Sequence, residues 1–142
     1  MKPHKTMPAI QKFMTPMPHT IGADIPLKTA YEMMKEHRIR HLPVQKAGTL
    51  VGVLTDRDVK LASSFQGPGQ LVVEDVMTPD PFTVEPESPL DSVAYQMAER
   101  RYGCAIVTQK NGKVVGIFTA TDGMRVLGEV LDKNYQTREA SL

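Results

Sequence analysis

The feature that most constrains this chain is a repeat: Gly52-Val53-Leu54-Thr55-Asp56-Arg57-Asp58 returns as Gly116-Ile117-Phe118-Thr119-Ala120-Thr121-Asp122. In both copies a glycine opens a short apolar strand, a threonine closes it, and an aspartate follows three residues later where a helix is expected to start. A motif stated twice predicts one supersecondary unit built twice. A unit of roughly 55 to 60 residues buries little surface alone, so the two copies are expected to pack together.

The repetition extends beyond the motif. Met14-Thr15-Pro16 recurs as Met77-Thr78-Pro79, Thr20-Ile21 as Thr83-Val84, and Pro26-Leu27 as Pro89-Leu90, each 63 residues later. From the glycines onward the offset is 64, which one extra residue in the turn before Gly112 accounts for; surface turns tolerate such changes. Ile10 and Phe13 match Val73 and Val76 as apolar approaches to Met-Thr-Pro. Leu27, Ala30, Tyr31 and Met34 fall at helical spacing, as do Leu90, Val93, Ala94 and Met97. Ser88 reads as a helix cap with Pro89 at the first helical position. Leu42-Pro43-Val44 and Cys104-Ala105-Ile106-Val107 are short apolar runs, and Asn111-Gly112 is a hairpin signal before the second strand.

The expected fold is therefore α+β, with two pseudo-symmetric strand-helix-strand-strand-helix units whose small sheets are packed by helices. Equivalent clefts are expected between the units. The expected division is a flexible lead-in over 1–9, a first unit over 10–64, a linker over 65–72 centred on Gln66-Gly67-Pro68-Gly69, a second unit over 73–128 and a tail over 129–142.

A net charge of +1, with 17 Lys and Arg against 16 Asp and Glu, argues against a nucleic-acid surface, which would present a basic face. Cys104 is the only cysteine, so no internal disulfide framework exists and a reducing, cytoplasmic setting is expected. No run approaches the ~20 apolar residues of a membrane span, and the first residues carry no signal-like apolar segment.

The Thr-x-x-Asp pattern supports two readings. It is a variant of the capping box, which satisfies free backbone donors at a helix start. The same geometry also suits a nucleotide: a helix N-terminus and a hydroxyl offer donors to phosphate, and an ionised carboxylate accepts from neighbouring ribose hydroxyls. Taken together, Met-Thr-Pro, the Thr-Ile or Thr-Val pair, the run Arg40-His41-Leu42-Pro43-Val44 and the duplicated Gly-x-x-Thr-x-x-Asp resemble a tandem pair of cystathionine-beta-synthase (CBS) domains, a Bateman module, over Ile10 to Leu127.

That resemblance implies a regulatory module that binds an adenosine derivative such as AMP, ADP, ATP or S-adenosylmethionine and signals to a partner protein as a homodimer. It places ribose recognition on Asp58 and Asp122 and the phosphate side on Thr55 and Thr119. It assigns the base pockets to Thr20-Ile21 with Leu42-Pro43, and to Thr83-Val84 with Ala105-Ile106. Arg40, His41, Arg100 and Arg101 are candidates for neutralising a phosphate, although basic residues after a helix also serve simply as solvated C-terminal charges. The two sites are expected to be unequal: Asp56 adds a carboxylate beside Thr55, whereas Ala120 and Thr121 leave the second helix start uncharged.

Two rival functions remain to be weighed. A thiol enzyme would use Cys104 with His4, His19, His37 or His41, but Cys104 lies in an apolar run where a thiol is inert. His37 and His41, the one i, i+4 pair, span a helix end, so no metal site is expected. A ligand-free scaffold that dimerises and docks on a partner is the other alternative.

Overall fold

The computed structural model describes residues 5–64 and 70–136. The expected linker core Gln66–Gly69, His4 and the last residues of the tail lie outside the described residues. After a 3-10 turn (Ile10–Lys12), the order is β1 (Thr15–Pro16), β2 (Ile21–Gly22), α1 (Leu27–His37), β3 (His41–Lys46), β4 (Thr49–Thr55) and α2 (Asp56–Ser63). The second series is α3 (Val73–Val76), β5 (Thr78–Pro79), β6 (Thr83–Val84), α4 (Leu90–Arg100), β7 (Cys104–Thr108), β8 (Val114–Thr119) and α5 (Ala120–Asn134). The fold is α+β, with two small sheets.

The sheets do not follow the sequence halves. One runs β2-β3-β4-β5 and the other β6-β7-β8-β1, so each Met-Thr-Pro segment completes the sheet of the opposite repeat. β1 lies antiparallel to β8, with Thr15 opposite Ile117 and Pro16 opposite Gly116; β5 lies against β4, with Pro79 opposite Gly52 and Thr78 opposite Val53. The approach residues cross over with them. Ile10 is fully buried in the core of Val93, Ala105, Val107 and Phe118, while Val73 is fully buried with Leu27, Leu42, Leu54 and Val59.

This interlock explains the two motif residues that carry no ligand chemistry. A Cβ on Gly52 would stand 2.6 Å from Sδ of Met77 and 2.8 Å from the carbonyl oxygen of Thr78. On Gly116 it would collide with Met14. Each motif glycine is thus the seat for the methionine of the other repeat's Met-Thr-Pro, a close approach that excludes a side chain.

Several local expectations are corrected. The lead-in is not without contacts, because the Pro8 carbonyl accepts the Leu90 N–H at 2.9 Å and Ala9 bridges Pro89. Ser88 is not the cap of α4; Pro89 holds that position, and Ser88 Oγ accepts from the Glu85 N–H instead. With Pro8 already serving the first helical donor, a serine cap is not needed there. Ala94 is exposed, so the buried face of α4 is Leu90, Val93 and Met97.

Candidate functional site

The two motif helices start in the same way and then differ. Thr55 Oγ1 accepts the Asp58 N–H at 3.1 Å, and Thr119 Oγ1 accepts the Asp122 N–H at 3.2 Å. In α5 the bond is returned: Asp122 Oδ2 accepts the Thr119 N–H at 2.8 Å, and Oδ1 pairs with Arg125 at 3.2 Å. The capping reading therefore holds at Thr119 and Asp122. At α2 the Asp58 carboxylate has no hydrogen bond or ion pair among the described residues, while its neighbour Asp56 pairs with Lys60 at 3.7 Å.

In front of the α5 start lies a cleft of about 610 Å³ between the repeats. Ile117, Thr119, Thr121 and Asp122 form one wall, the run from Arg38 to His41 forms the facing wall, and Thr15 to His19 closes one side. The interlock places this last segment there, since β1 is stitched to β8. Two backbone positions flanking the cleft are left-handed, Met17 (φ 46°) and Arg38 (φ 55°), and both have left-handed counterparts in the other repeat, Asp80 (φ 52°) and Arg101 (φ 59°). Arg38 and Arg101 are the left-handed C-caps that end α1 and α4, a common way for a helix to stop.

The cleft lining is rich in bases. Arg38, Arg40, His19 and His41 face it, against one carboxylate, Asp122, which is already engaged by Arg125. His41 is pushed below the usual histidine range, chiefly by burial and further by Arg40, with Asp56 and Asp122 pulling the other way. Its Nε2 would lie 3.1 Å from a Cβ on Gly103, so His41 sits where the two repeats meet. The His19 ring stacks on His37 with centroids 3.9 Å apart.

Of the residues singled out from sequence, Thr119, Asp122, Arg40 and His41 come together in this cleft. Thr20 and Ile21 line a different concavity of about 420 Å³ beside the β3–β4 turn, and Thr83 and Val84 a third of about 650 Å³. Leu42, Pro43, Ala105 and Ile106 are fully buried, so only their backbone could meet a ligand. Thr55 and Asp58 stand at the α2 start, and Arg100 and Arg101 end α4, Arg101 as the counterpart of Arg38. Sequence reasoning missed Arg38, Thr121 and the Thr15–His19 segment. Their signal was present in the repeated Met-Thr-Pro, but a sequence periodicity does not show that a strand crosses to the other half.

Cys104 is buried, and that burial pushes its thiol up to about 11, the opposite of what a nucleophile requires. Among the described residues no cluster of three metal-ligating side chains occurs, and no helix is long and apolar enough to cross a membrane.

The CBS domain family model matches residues 10–64 and 73–129. Among solved structures, CBSX2 of Arabidopsis thaliana in complex with AMP superposes with a TM-score of 0.73 at 30% identity, covering 87% of this chain and 98% of that one. The CBS domain pair of protein MJ0100, in complex with 5'-methylthioadenosine and S-adenosyl-L-methionine, gives 0.80 at 27% identity, covering 88% and 99%. An inosine-5'-monophosphate dehydrogenase of Korarchaeum cryptofilum is 36% identical over 103 residues, 72% of this chain, and an L-aspartate semialdehyde sulfurtransferase of Methanocaldococcus jannaschii is 30% identical over 129 residues, 89% of this chain. The matches span 21% and 25% of those two enzymes, so the chain is similar to only a minor part of each.

Proposed function

This chain belongs to the CBS domain family as a tandem pair, and from that premise we propose that it is a non-catalytic regulatory module whose inter-repeat cleft takes an adenosine derivative. The observation that carries this reading is the meeting, across one cleft, of Thr119 and Asp122 from one repeat with Arg40 and His41 from the other. An ionised carboxylate has about four acceptor positions, so Asp122 can serve its cap and Arg125 and still accept from a ribose diol. Thr119, at the helix start, stands on the phosphate side, Arg40 neutralises the anion, and His41, which burial keeps uncharged, offers only a ring N–H as a hydrogen-bond donor. Relatives of similar size and fold bind AMP, 5'-methylthioadenosine and S-adenosylmethionine, which supports the ligand class. Thr55 and Asp58 mark the equivalent place in the first repeat.

The exposed face of α5 supports assembly as a homodimer. Its 15 residues include no fully buried side chain. Val126 packs on the second core and Met33 on the first, while Met124, Leu127, Leu131 and Tyr135 are exposed along the helix. An apolar stripe of this kind marks an association surface, and a second copy closes it by twofold symmetry. In that assembly, ligand in the cleft shifts one repeat against the other, and the change is passed to a partner protein.

The test is a thermal shift and light-scattering series with AMP, ADP, ATP, S-adenosylmethionine and 5'-methylthioadenosine. At a ligand concentration 100 times the dissociation constant, stability rises by ~2.7 kcal/mol, several degrees for a chain of this size. A flat response to every compound at millimolar concentration leaves the scaffold reading, which the open face of α5 would then carry alone. A monomeric mass with and without ligand removes the dimer.

A further inference from the structure

We infer that a second copy of this chain seats on α5 at Gly128, the two α5 helices crossing antiparallel at close range. This rests on the assembly reading above and adds where the copies meet and in which orientation; it is independent of the adenosine reading.

Gly128 is the residue that calls for a partner. The other described glycines either take a positive φ, as Gly48 and Gly112 do, or have protein within 4 Å of the place a Cβ would occupy. Gly128 does neither: it lies inside a helix, exposed, with open space where a side chain would go. Glycine inside a helix is markedly less favourable than alanine, and nothing in the chain's own packing offsets that loss. The stretch around it is equally unsupported. α2 stops at Ser63, the counterpart of Leu127, but α5 runs on to Asn134, and every residue from Leu127 to Asn134 is exposed. Helical turns of this length are not held by propensity alone. A neighbour packed on them supplies what the chain does not.

The face centred on Gly128 says what that neighbour is. With the helical turn of about 3.6 residues, Met124, Leu131 and Tyr135 flank Gly128 on one side, and Arg125 and Glu129 on the other. Gly128, Leu131, Asp132 and Tyr135 border a shallow concavity of about 350 Å³. A glycine beside such residues is a notch that admits a second backbone. The charged edge then sets the orientation. In an antiparallel pair about a twofold axis at Gly128, Arg125 of each copy comes opposite Glu129 of the other, and Met124 of each meets Leu131 of the other. Arg125 also holds Asp122 on its own helix, and its five donors serve both carboxylates. In a parallel pair, Glu129 would face Glu129 and Arg125 would face Arg125. The face is complementary to itself in one orientation only, which is the property a twofold contact requires.

Sedimentation velocity of the full chain over a concentration series, at low and at high salt, tests this. Gly128→Ala puts a methyl group into the crossing and should weaken the dimer about tenfold or more. The same substitution should make the dilute, dissociated chain more resistant to heat, because alanine is the better helix former. Glu129→Gln should weaken the dimer about fivefold at low salt, a difference that fades at high salt. A dimer that Gly128→Ala leaves unchanged or strengthens would move the interface off Gly128 and overturn the inference, with the assembly reading intact. A dimer tightened by Glu129→Gln would mean that like charges had faced each other, and would overturn the antiparallel crossing. A wild-type chain that stays monomeric at every concentration removes the assembly reading and this inference together, and leaves the adenosine reading untouched.

Discussion

Helices α2 and α5 begin with the same Thr-x-x-Asp pattern, yet only α5 closes it into a reciprocal box. Asp122 is turned back onto the Thr119 N–H and held from the far side by Arg125, whereas Asp58 is left free among the described residues and its neighbour Asp56 leans on Lys60. The threonine does the same work in both, so the pattern specifies the first hydrogen bond but not the second. What decides the second is the neighbour one turn on: Arg125 at i+3 from Asp122, against Leu61 at the equivalent place from Asp58. A duplicated motif is therefore one backbone solution carrying two different electrostatic ones.

The largest expected contrast between the repeats lies at the joints. Gly52→Ala should destabilise the protein by about 1–3 kcal/mol, because one of the atoms its Cβ meets is the Thr78 carbonyl, which cannot move without breaking the β4–β5 pairing. Gly116→Ala meets only the side chain of Met14, which can rotate away, and should cost about 1 kcal/mol or less. Urea unfolding of the two variants measures this directly. Equal losses would mean that Met14 is as immovable as backbone and that the two joints are mechanically alike.

Next in size is the aspartate pair. Asp122→Ala removes a cap bond and an ion pair and should cost about 0.5–2 kcal/mol. Asp58→Ala removes neither and should stay within about 0.5 kcal/mol. Denaturant midpoints for the two, compared without ligand, test the asymmetry of the caps independently of any binding. If Asp58→Ala proves the costlier, the free carboxylate seen at α2 is not its state in solution.

Much of this architecture was legible in the sequence, for a physical reason. Apolar spacing fixed α1, and the motif glycine, threonine and aspartate marked where β4 and β8 end and α2 and α5 begin, because strand periodicity and helix capping are local properties. The crossing of Met-Thr-Pro to the opposite sheet was not legible. Thr15-Pro16 is two residues long and could pair with either half by propensity alone, and the contact that accompanies its pairing, Met14 against Gly116, joins residues about a hundred positions apart in sequence. The cleft inherits that limit. Asp122 and Thr119 could be named from the motif, but Arg38 and the Thr15–His19 segment reach the same cleft only through the crossover.

The contrast confined to the extremes of pH comes from another equivalent pair, His41 and Cys104, which begin β3 and β7. Burial acts on both, but in opposite directions, because it disfavours the charged form: the His41 imidazole is held below its ordinary value of 6.5, and the Cys104 thiol is raised to about 11 from 9.0. For His41 the unfolded chain binds the proton first, so stability is lost as pH falls from 6.5 through the lowered folded value. For Cys104 the unfolded chain releases its proton first, so stability is lost as pH rises from 9.0 toward about 11. The pair thus narrows the stable range from both sides. In pH-dependent urea unfolding, His41→Gln should flatten the slope on the acid side alone, and Cys104→Ala the slope on the alkaline side alone, whatever each variant does to the overall level. An acid slope unchanged in His41→Gln would show that the imidazole at the junction of the repeats is open to water, and that the cleft wall it forms with Arg40 is looser than the structure draws it.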